Sequence, residues 1–470
     1  MSRRPRRWKV VLLLLGSCAL LLPAEEPTKQ ALDGIYQAAA ADYDAGRYAH
    51  AADQLERVLP YATRSYEVHE LLGMVYASMA DNAKAEAELK LAVQLNPNST
   101  AARTNFGTIL MHTGKGALAY EQFRKAQQLD PKDYDTNHNL AEFLLQTGKL
   151  SEALPLLMTA QELRPDSYDN GYDLAMADHQ LGKLEDARQA ALAIAQKQNT
   201  GEVHNLLAQI AEKDGKFVDA ANEYESAAHL DPSEGNLFDW GCEMLLHRTY
   251  EPAIAIFQQA TAKYPKSPRL FIGLGLALYS RGKYDEAVEA LLTAAGLNPG
   301  DPRCYLFLSK AYDSSPKQAG DVIEAFRRFA ELQPNDARAQ YYLAISLWKG
   351  NREEGTTHDL KEVESLLQKS IGLDGTIPEA HVQLGDLYSG QHAYEKAIPE
   401  YVQAIALNPN LSDAHYRLGT DYVHVGKKDE AQEEFAIYQK LRAEHLAEVD
   451  KERAEVRQFV YSEKNDAAKQ

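Results

Sequence analysis

Several residues in this 470-residue chain have types and spacings that invite chemistry. His69-Glu70 could open a helical zinc motif, but the second histidine that would complete the ligand pair is absent. Gly273-Leu274-Gly275 has the composition of a phosphate loop, yet it falls inside a helical register and follows no strand. No Gly-x-Ser-x-Gly elbow and no Cys-x-x-Cys pair occurs. Three cysteines, Cys18, Cys242 and Cys304, are too few for a disulfide framework or a four-thiolate zinc site. His69, His112, His138, His179 and His204 recur at slipping positions, so they are expected to be exposed or satisfied locally. Asn98-Ser99-Thr100 and Asn410-Leu411-Ser412 fit the glycosylation triplet, but they fall where helix caps are wanted. No catalytic, cofactor-binding or metal-ligating residue is assigned, and no enzyme is expected.

Charge narrows the partners. Lys and Arg total 50 against 68 Asp and Glu, a net −18. Such acidity repels phosphate backbones and argues against nucleic-acid binding. The basic exception is the start, where Arg3, Arg4, Arg6, Arg7 and Lys9 precede an apolar run from Val10 to Leu22 and then Pro23-Ala24. Residues 1–24 thus have the layout of a secretory signal peptide. An uncleaved membrane anchor is the rival reading. Leu15-Gly16-Ser17-Cys18 resembles a bacterial lipobox, which would lipidate Cys18. Each reading takes the chain out of the cytoplasm, to the periplasm or beyond, with membrane attachment in two of them.

The elements that must position any site come from self-similarity. A Gly-x4-Ala segment recurs as Gly46…Ala51, Gly114…Ala119, Gly148…Ala153, Gly182…Ala187, Gly215…Ala220, Gly282…Ala287 and Gly426…Ala431. With Ala85, Ala253 and Ala397 added, the alanines step by 33 or 34 residues as far as Ala287, and again from Ala397 to Ala431. Two degenerate units near Val322 and Val363 fill the gap, which makes about twelve repeats over residues 25–445.

Leu72-Gly73, Tyr76, Ala85, Leu89, Ala92 and Pro97 make one full pattern, and Leu384-Gly385, Tyr388, Ala397, Tyr401, Ala404 and Pro409 another. In these residues the chain resembles the tetratricopeptide repeat (TPR) family. The resemblance implies an all-α, right-handed superhelical solenoid of antiparallel helix pairs. Physically, Gly73, Gly107, Ala141, Ala175, Ala208 and Gly275 let paired helices approach closely. Gly148 or Gly182 ends a first helix in the left-handed conformation. Pro97, Pro131 and Pro299 stop second helices, because proline lacks a donor and clashes with the preceding turn. One pair cannot bury its apolar face alone, so neighbours must stack.

Some units depart from the pattern. The fifth has Ile194 and Asn199 where Ala and Pro are expected. The ninth has an extra residue within 313–320. In the tenth, Leu343-Ala344 and Leu347 are followed by an insertion, residues 349–358, which reads as a tolerated loop or as a loop beside a groove, and Gly375 replaces the closing proline. From Asp429 to about Val460 the chain stays helical and polar, as a solenoid cap or a partner-binding helix, and the tail runs to residue 470.

The family resemblance implies that first helices line a concave groove holding a partner peptide or helix. Acidic candidates there are Glu67, Glu70, Asp135, Glu142, Asp169 and Asp173 in the early repeats. Later repeats offer Arg269, Arg303, Lys310, Arg338 and Lys349, with Tyr279, Tyr341 and Trp348 among them. Arg269, Arg303 and Arg338 step by 34 and 35, the spacing of a guanidinium ladder for an acidic ligand. Pairing with nearby carboxylates is the alternative. The resulting expectation is a non-enzymatic protein-interaction scaffold of the cell envelope. The alternative is an accessory factor, a lipoprotein in one version, of an export, pilus or outer-membrane assembly machine. Ala153→Glu should place a charge at a helix contact and melt the central repeats, costing several kcal/mol. An unchanged thermal melt by circular dichroism would refute the register.

Overall fold

The computed structural model describes residues 28–315, 317–353 and 360–444. Residues 1–24, expected to form a signal peptide, residues 354–358 of the insertion and the tail 446–470 lie outside the described residues. All regular elements among the described residues are helices, and they fall into two compact units that divide between Asn199 and Thr200.

The first unit has five helix pairs: α1 (Lys29–Asp44) with α2 (Tyr48–Val58), α3 (Tyr66–Ser78) with α4 (Asn82–Leu95), and α5 (Thr100–His112) with α6 (Gly116–Leu129). They are followed by α7 (Tyr134–Gln146) with α8 (Leu150–Leu163) and α9 (Tyr168–Gln180) with α10 (Leu184–Ala195). The unit closes at the departure noted above. Ile194 is buried where the repeat has alanine, and α10 is 12 residues long against 14 for α4, α6 and α8.

The second unit begins with α11 (Gly201–Lys213) and α12 (Phe217–Leu230), α13 (Glu234–Leu246) and α14 (Tyr250–Lys263), and α15 (Pro268–Arg281) and α16 (Tyr284–Leu297). It continues with α17 (Pro302–Ser314) and α18 (Ala319–Leu332), α19 (Ala337–Glu353) and α20 (Leu360–Leu373), and α21 (Pro378–Gly390) and α22 (Tyr394–Leu407). The last pair is α23 (Ser412–His424) and a helix over 428–444. Each unit is a right-handed solenoid of antiparallel pairs.

Helix starts are capped as the sequence chemistry dictates. Ser99 Oγ accepts from the Ala102 amide at 3.1 Å, and Asp133 from Thr136 at 2.9 Å. Ser99, not Asn98, is the cap of α5, while Asn96 Oδ1 takes the Asn98 amide at 3.2 Å.

The helices of a pair touch where one contributes almost no side chain. A Cβ added at Gly107 would lie 2.7 Å from the Phe123 ring, at Gly241 2.6 Å from Phe257, and at Gly385 2.7 Å from Tyr401. Each partner sits sixteen residues later and is almost wholly buried. Ala153, Leu157 and Ala177 share one such core in the first unit. Phe257, Leu291, Phe326 and Tyr401 belong to a core that runs through most of the second.

A polar link the sequence reading missed joins successive pairs. In several first helices one side chain reaches the carbonyl six residues before it: Arg103 Nε to Pro97 at 2.7 Å, Asn137 Nδ2 to Pro131 at 2.9 Å, Tyr305 OH to Pro299 at 3.0 Å. His69 and His415 do the same with Nε2, at 3.2 Å to Thr63 and 3.0 Å to Pro409. The same position often bridges to the second helix nineteen residues on. His69 Nδ1 is 2.5 Å from Glu88, His204 2.5 Å from Glu223, His381 2.7 Å from Glu400 and His415 2.5 Å from Glu434.

The insertion differs from a simple loop. Residues 349–353 continue α19, giving it 17 residues where α17 has 13. Lys349 holds this extra turn, donating to the Tyr312 carbonyl and lying 3.6 Å from Asp313.

First helices end in left-handed glycines, including Gly46, Gly114 and Gly148 with φ from 73° to 75°. At the same place Ala80, Arg248, Gln318 and His392 take φ of 57–63°. That conformation costs an L-residue about 1–2 kcal/mol, while glycine's extra unfolded-state freedom costs about 0.4–1 kcal/mol. Ala80→Gly should therefore stabilise the first unit by roughly 0.5–1 kcal/mol. Gly148→Ala, whose Cβ meets nothing within 4 Å, should destabilise it by a similar amount. Urea unfolding followed by circular dichroism reads both, and shifts of the opposite signs would refute the account.

Candidate partner-binding groove

First helices of neighbouring pairs touch one another throughout most of each unit: α1 with α3, α3 with α5, α5 with α7 and α7 with α9, then α13 with α15, α15 with α17, α17 with α19 and α21 with α23. Among second helices, only α16 and α18 approach to that degree. First helices thus form the inner, more tightly curved row of each unit. Contact is weaker between α19 and α21, and a cavity of about 540 Å³ opens there.

The candidate residues divide into two sets. Arg269, Arg303 and Arg338 each occupy the second position of a first helix, in α15, α17 and α19, and all three are exposed. Two of the guanidinium groups have carboxylate partners on their own surface. Arg269 Nε donates to Glu234 at 2.6 Å and lies over the Phe238 ring. Arg303 makes a bidentate contact with the helix-cap carboxylate of Asp301, at 2.6 and 2.9 Å. A hydrogen bond from Ser267, together with Arg269, holds Glu234 below the usual carboxylate range, and Arg303 does the same for Asp301. Both arginines stabilise the turns that open their helices. Arg338 lies beside the Tyr342 hydroxyl, and Lys310 is exposed one repeat before Ile345.

Tyr341, Trp348 and Lys349 form the second set, and all three line the cavity. The opposite wall is made by residues that sequence reasoning passed over: Asp386 and Ser389 of α21, Tyr401 of α22, and Tyr416, Arg417 and Asp421 of α23. Tyr401 OH donates to Asp386 Oδ1 at 2.7 Å, and Arg417 pairs with the other oxygen of the same carboxylate. Ser389 Oγ donates to Asp421 Oδ1 at 2.7 Å. Burial pushes the Asp421 carboxyl above its usual range, against the Ser389 hydrogen bond. Asp386 adjoins Gly385, so the close approach of Gly385 to Tyr401 delivers the phenol to the site. The available signal was acidic residues on the first helices of repeats that otherwise follow the pattern closely.

The early acidic set is placed less coherently. Glu70 accepts from Asn105 Nδ2 at 3.0 Å, and burial raises its carboxyl. Ser65 donates to Glu67 at 2.6 Å. Asp135 lies 3.8 Å from Arg164.

Family models described as tetratricopeptide repeat match residues 66–99, 110–167, 148–210, 246–302 and 378–411. The matches fall on helices of both units, and 66–99 and 378–411 each span one helix pair, α3 with α4 and α21 with α22. The chain is built of tetratricopeptide repeats. Human protein O-mannosyl-transferase TMTC3 is 22% identical over 195 residues, covering 39% of this chain and 21% of its own length. The peroxisomal targeting signal receptor of Saccharomyces cerevisiae is 29% identical over 79 residues, covering 17% of this chain and 13% of the receptor. This TPR chain therefore spans about a fifth, or less, of these relatives. Among solved structures it is similar to YrrB, titled as a TPR protein with an unusual peptide-binding site. That match has 16% identity and a TM-score of 0.36, and covers 39% of this chain and 96% of that one.

TPR helices also bury the thiols. Desolvation pushes Cys242 up to about 11 and Cys304 up to about 12, with Asp239 and Asp301 adding to it. Cys304 Sγ also donates to the Asp301 carbonyl at 3.1 Å. Neither is a nucleophile near neutral pH. Iodoacetamide at pH 8 should modify Cys304 in the folded chain at least about a hundredfold more slowly than in urea. Peptide mass mapping measures this, and equal rates would refute the burial.

Proposed function

We propose that this TPR chain is a non-enzymatic scaffold, exported to the bacterial cell envelope or beyond, that holds an extended segment of a protein partner. The segment lies along the inner row of first helices in the second unit. One observation carries the reading. Tyr341, Trp348 and Lys349, picked out by residue type and repeat position, line the cavity that opens in that row between α19 and α21.

The chemistry suits an extended chain. Tyr341, Trp348 and Tyr416 offer apolar faces with polar edges, the residue types that anchor interfaces. Lys310 and Arg338, exposed on the first helices α17 and α19, would take acidic groups of the same segment. Arg269 and Arg303 contribute through the helix starts they stabilise. The printed name of the peroxisomal receptors, as receptors of a targeting signal, agrees with recognition of a protein segment. Export rests on residues 1–24.

A second reading makes the chain an accessory factor of an export, pilus or outer-membrane assembly machine, favoured by Leu15-Gly16-Ser17-Cys18. Lipidation of Cys18, abolished in Cys18→Ala, would support it.

Affinity capture from the native envelope tests the main proposal. Trp348→Ala combined with Arg338→Glu should reduce recovery of the partner by about tenfold or more and leave the helical melt unchanged. Undiminished capture would overturn the groove. Residues 1–24 fused to a reporter active only in an oxidising compartment should yield activity, and a silent fusion would overturn export.

A further inference from the structure

The charges around the cavity do not balance within the protein. Lys349 is engaged by the Tyr312 carbonyl and Asp313, and Arg417 by Asp386. That leaves Asp421. Its side chain is 1% exposed, and its only hydrogen bond among the described residues comes from Ser389. Asp421 Oδ2 has no partner.

An ionised carboxylate accepts about four hydrogen bonds, and a buried one is costly without a cation. Other buried acids among the described residues have a basic nitrogen within 4 Å, although Asp178 Oδ1 and Glu243 Oε1 also lack a hydrogen-bond partner. Asp42 has Arg47 and His50, Asp178 has Lys183 at 3.8 Å, and Glu243 has His247 at 3.1 Å. Asp421 has no Lys, Arg or His nitrogen within 4 Å among the described residues. It is the exception, and it lines the cavity.

We infer that this cavity is a socket for an arginine or lysine side chain of the partner segment, with Asp421 as its counter-ion. The inference rests on the groove reading above and adds the residue class that is recognised. Four aromatic rings line the walls, Tyr341, Trp348, Tyr401 and Tyr416, and the face of such a ring attracts a cation. A guanidinium or ammonium group supplies the donors that Oδ2 lacks, and the long aliphatic stem packs along the rings. The volume lies in the range of small-ligand pockets and accommodates such a side chain. An acidic side chain would meet an uncompensated carboxylate. The partner therefore presents its basic residue to α21 and α23, and any acidic ones to Lys310 and Arg338.

The full chain is titrated by fluorescence polarisation with end-capped decapeptides of Gly, Ala and Ser. They differ only in one central residue: Arg, Lys, citrulline or Glu. Arg and Lys peptides should bind about tenfold or more tightly than citrulline and Glu peptides, the gain of a charge-assisted bond. Asp421→Asn should erase that preference and keep the helical melt. Should that variant unfold, Tyr416→Ala on the exposed rim should weaken the Arg peptide selectively. Binding that depends on Trp348 but shows no preference for Arg or Lys overturns the socket and leaves the groove standing. No binding of any peptide overturns both. Agmatine bound in an Asp421-dependent manner, with no peptide bound, overturns the partner segment as the source of the cation.

Discussion

Everything in the two units depends on how closely the helices of a pair approach. Glycine at 107, 241, 275 and 385 faces Phe123, Phe257, Leu291 and Tyr401, with room for no further carbon. Dispersion falls steeply with separation, so a large ring seated on bare backbone makes many short contacts at once. The reciprocity of small against large also sets the register. Shifting one helix by a residue would remove the glycine from beneath the ring. Ala141, Ala175 and Ala208 serve the same place, each fully buried.

Close approach alone would leave the pairs free to slide against their neighbours. The polar link at one position of several first helices restricts that freedom. It ties the helix to the carbonyl six residues back, where the preceding second helix has just been stopped. In several pairs it also reaches the second helix of its own unit. The residue type varies among His, Arg, Asn and Tyr because the task requires only a donor of suitable length. Of the five histidines weighed as metal ligands, His69 and His204 are such connectors, as are His381 and His415. His69, His204, His381 and His415 face glutamates rather than one another.

The same geometry makes the groove. First helices crowd together on the inside of each unit, so a weak contact in that row opens a cavity instead of a shallow dent. The pair bounded by α19 and α20 is the irregular one, with an elongated first helix held at Lys349. The opening lies beside it. Charges placed there are partly withdrawn from solvent, where an unbalanced carboxylate matters far more than among the solvated acids elsewhere on this acidic chain.

Periodicity alone was sufficient for the fold. The 34-residue step, the left-handed glycines and the closing prolines are local demands of backbone and capping, and such demands are written residue by residue. Pocket membership was legible only in part. Tyr341, Trp348 and Lys349 could be selected because aromatic and basic residues at first-helix positions stand out along the chain. Asp386, Arg417, Tyr401 and Asp421 could not, since each looks like an ordinary member of a regular repeat. Pairing between side chains is a matter of distance across helices, which spacing along one helix does not report. For that reason the sequence left open whether Arg269 and Arg303 face a ligand or nearby carboxylates, and Glu234 and Asp301 occupy them. The sequence by itself determined the repeating unit, because that unit is held by contacts sixteen to nineteen residues apart. Only the tertiary structure decided which charges remain unbalanced, because that balance is struck between side chains more than thirty residues apart, such as Arg417 with Asp386 and Asp421 with Ser389.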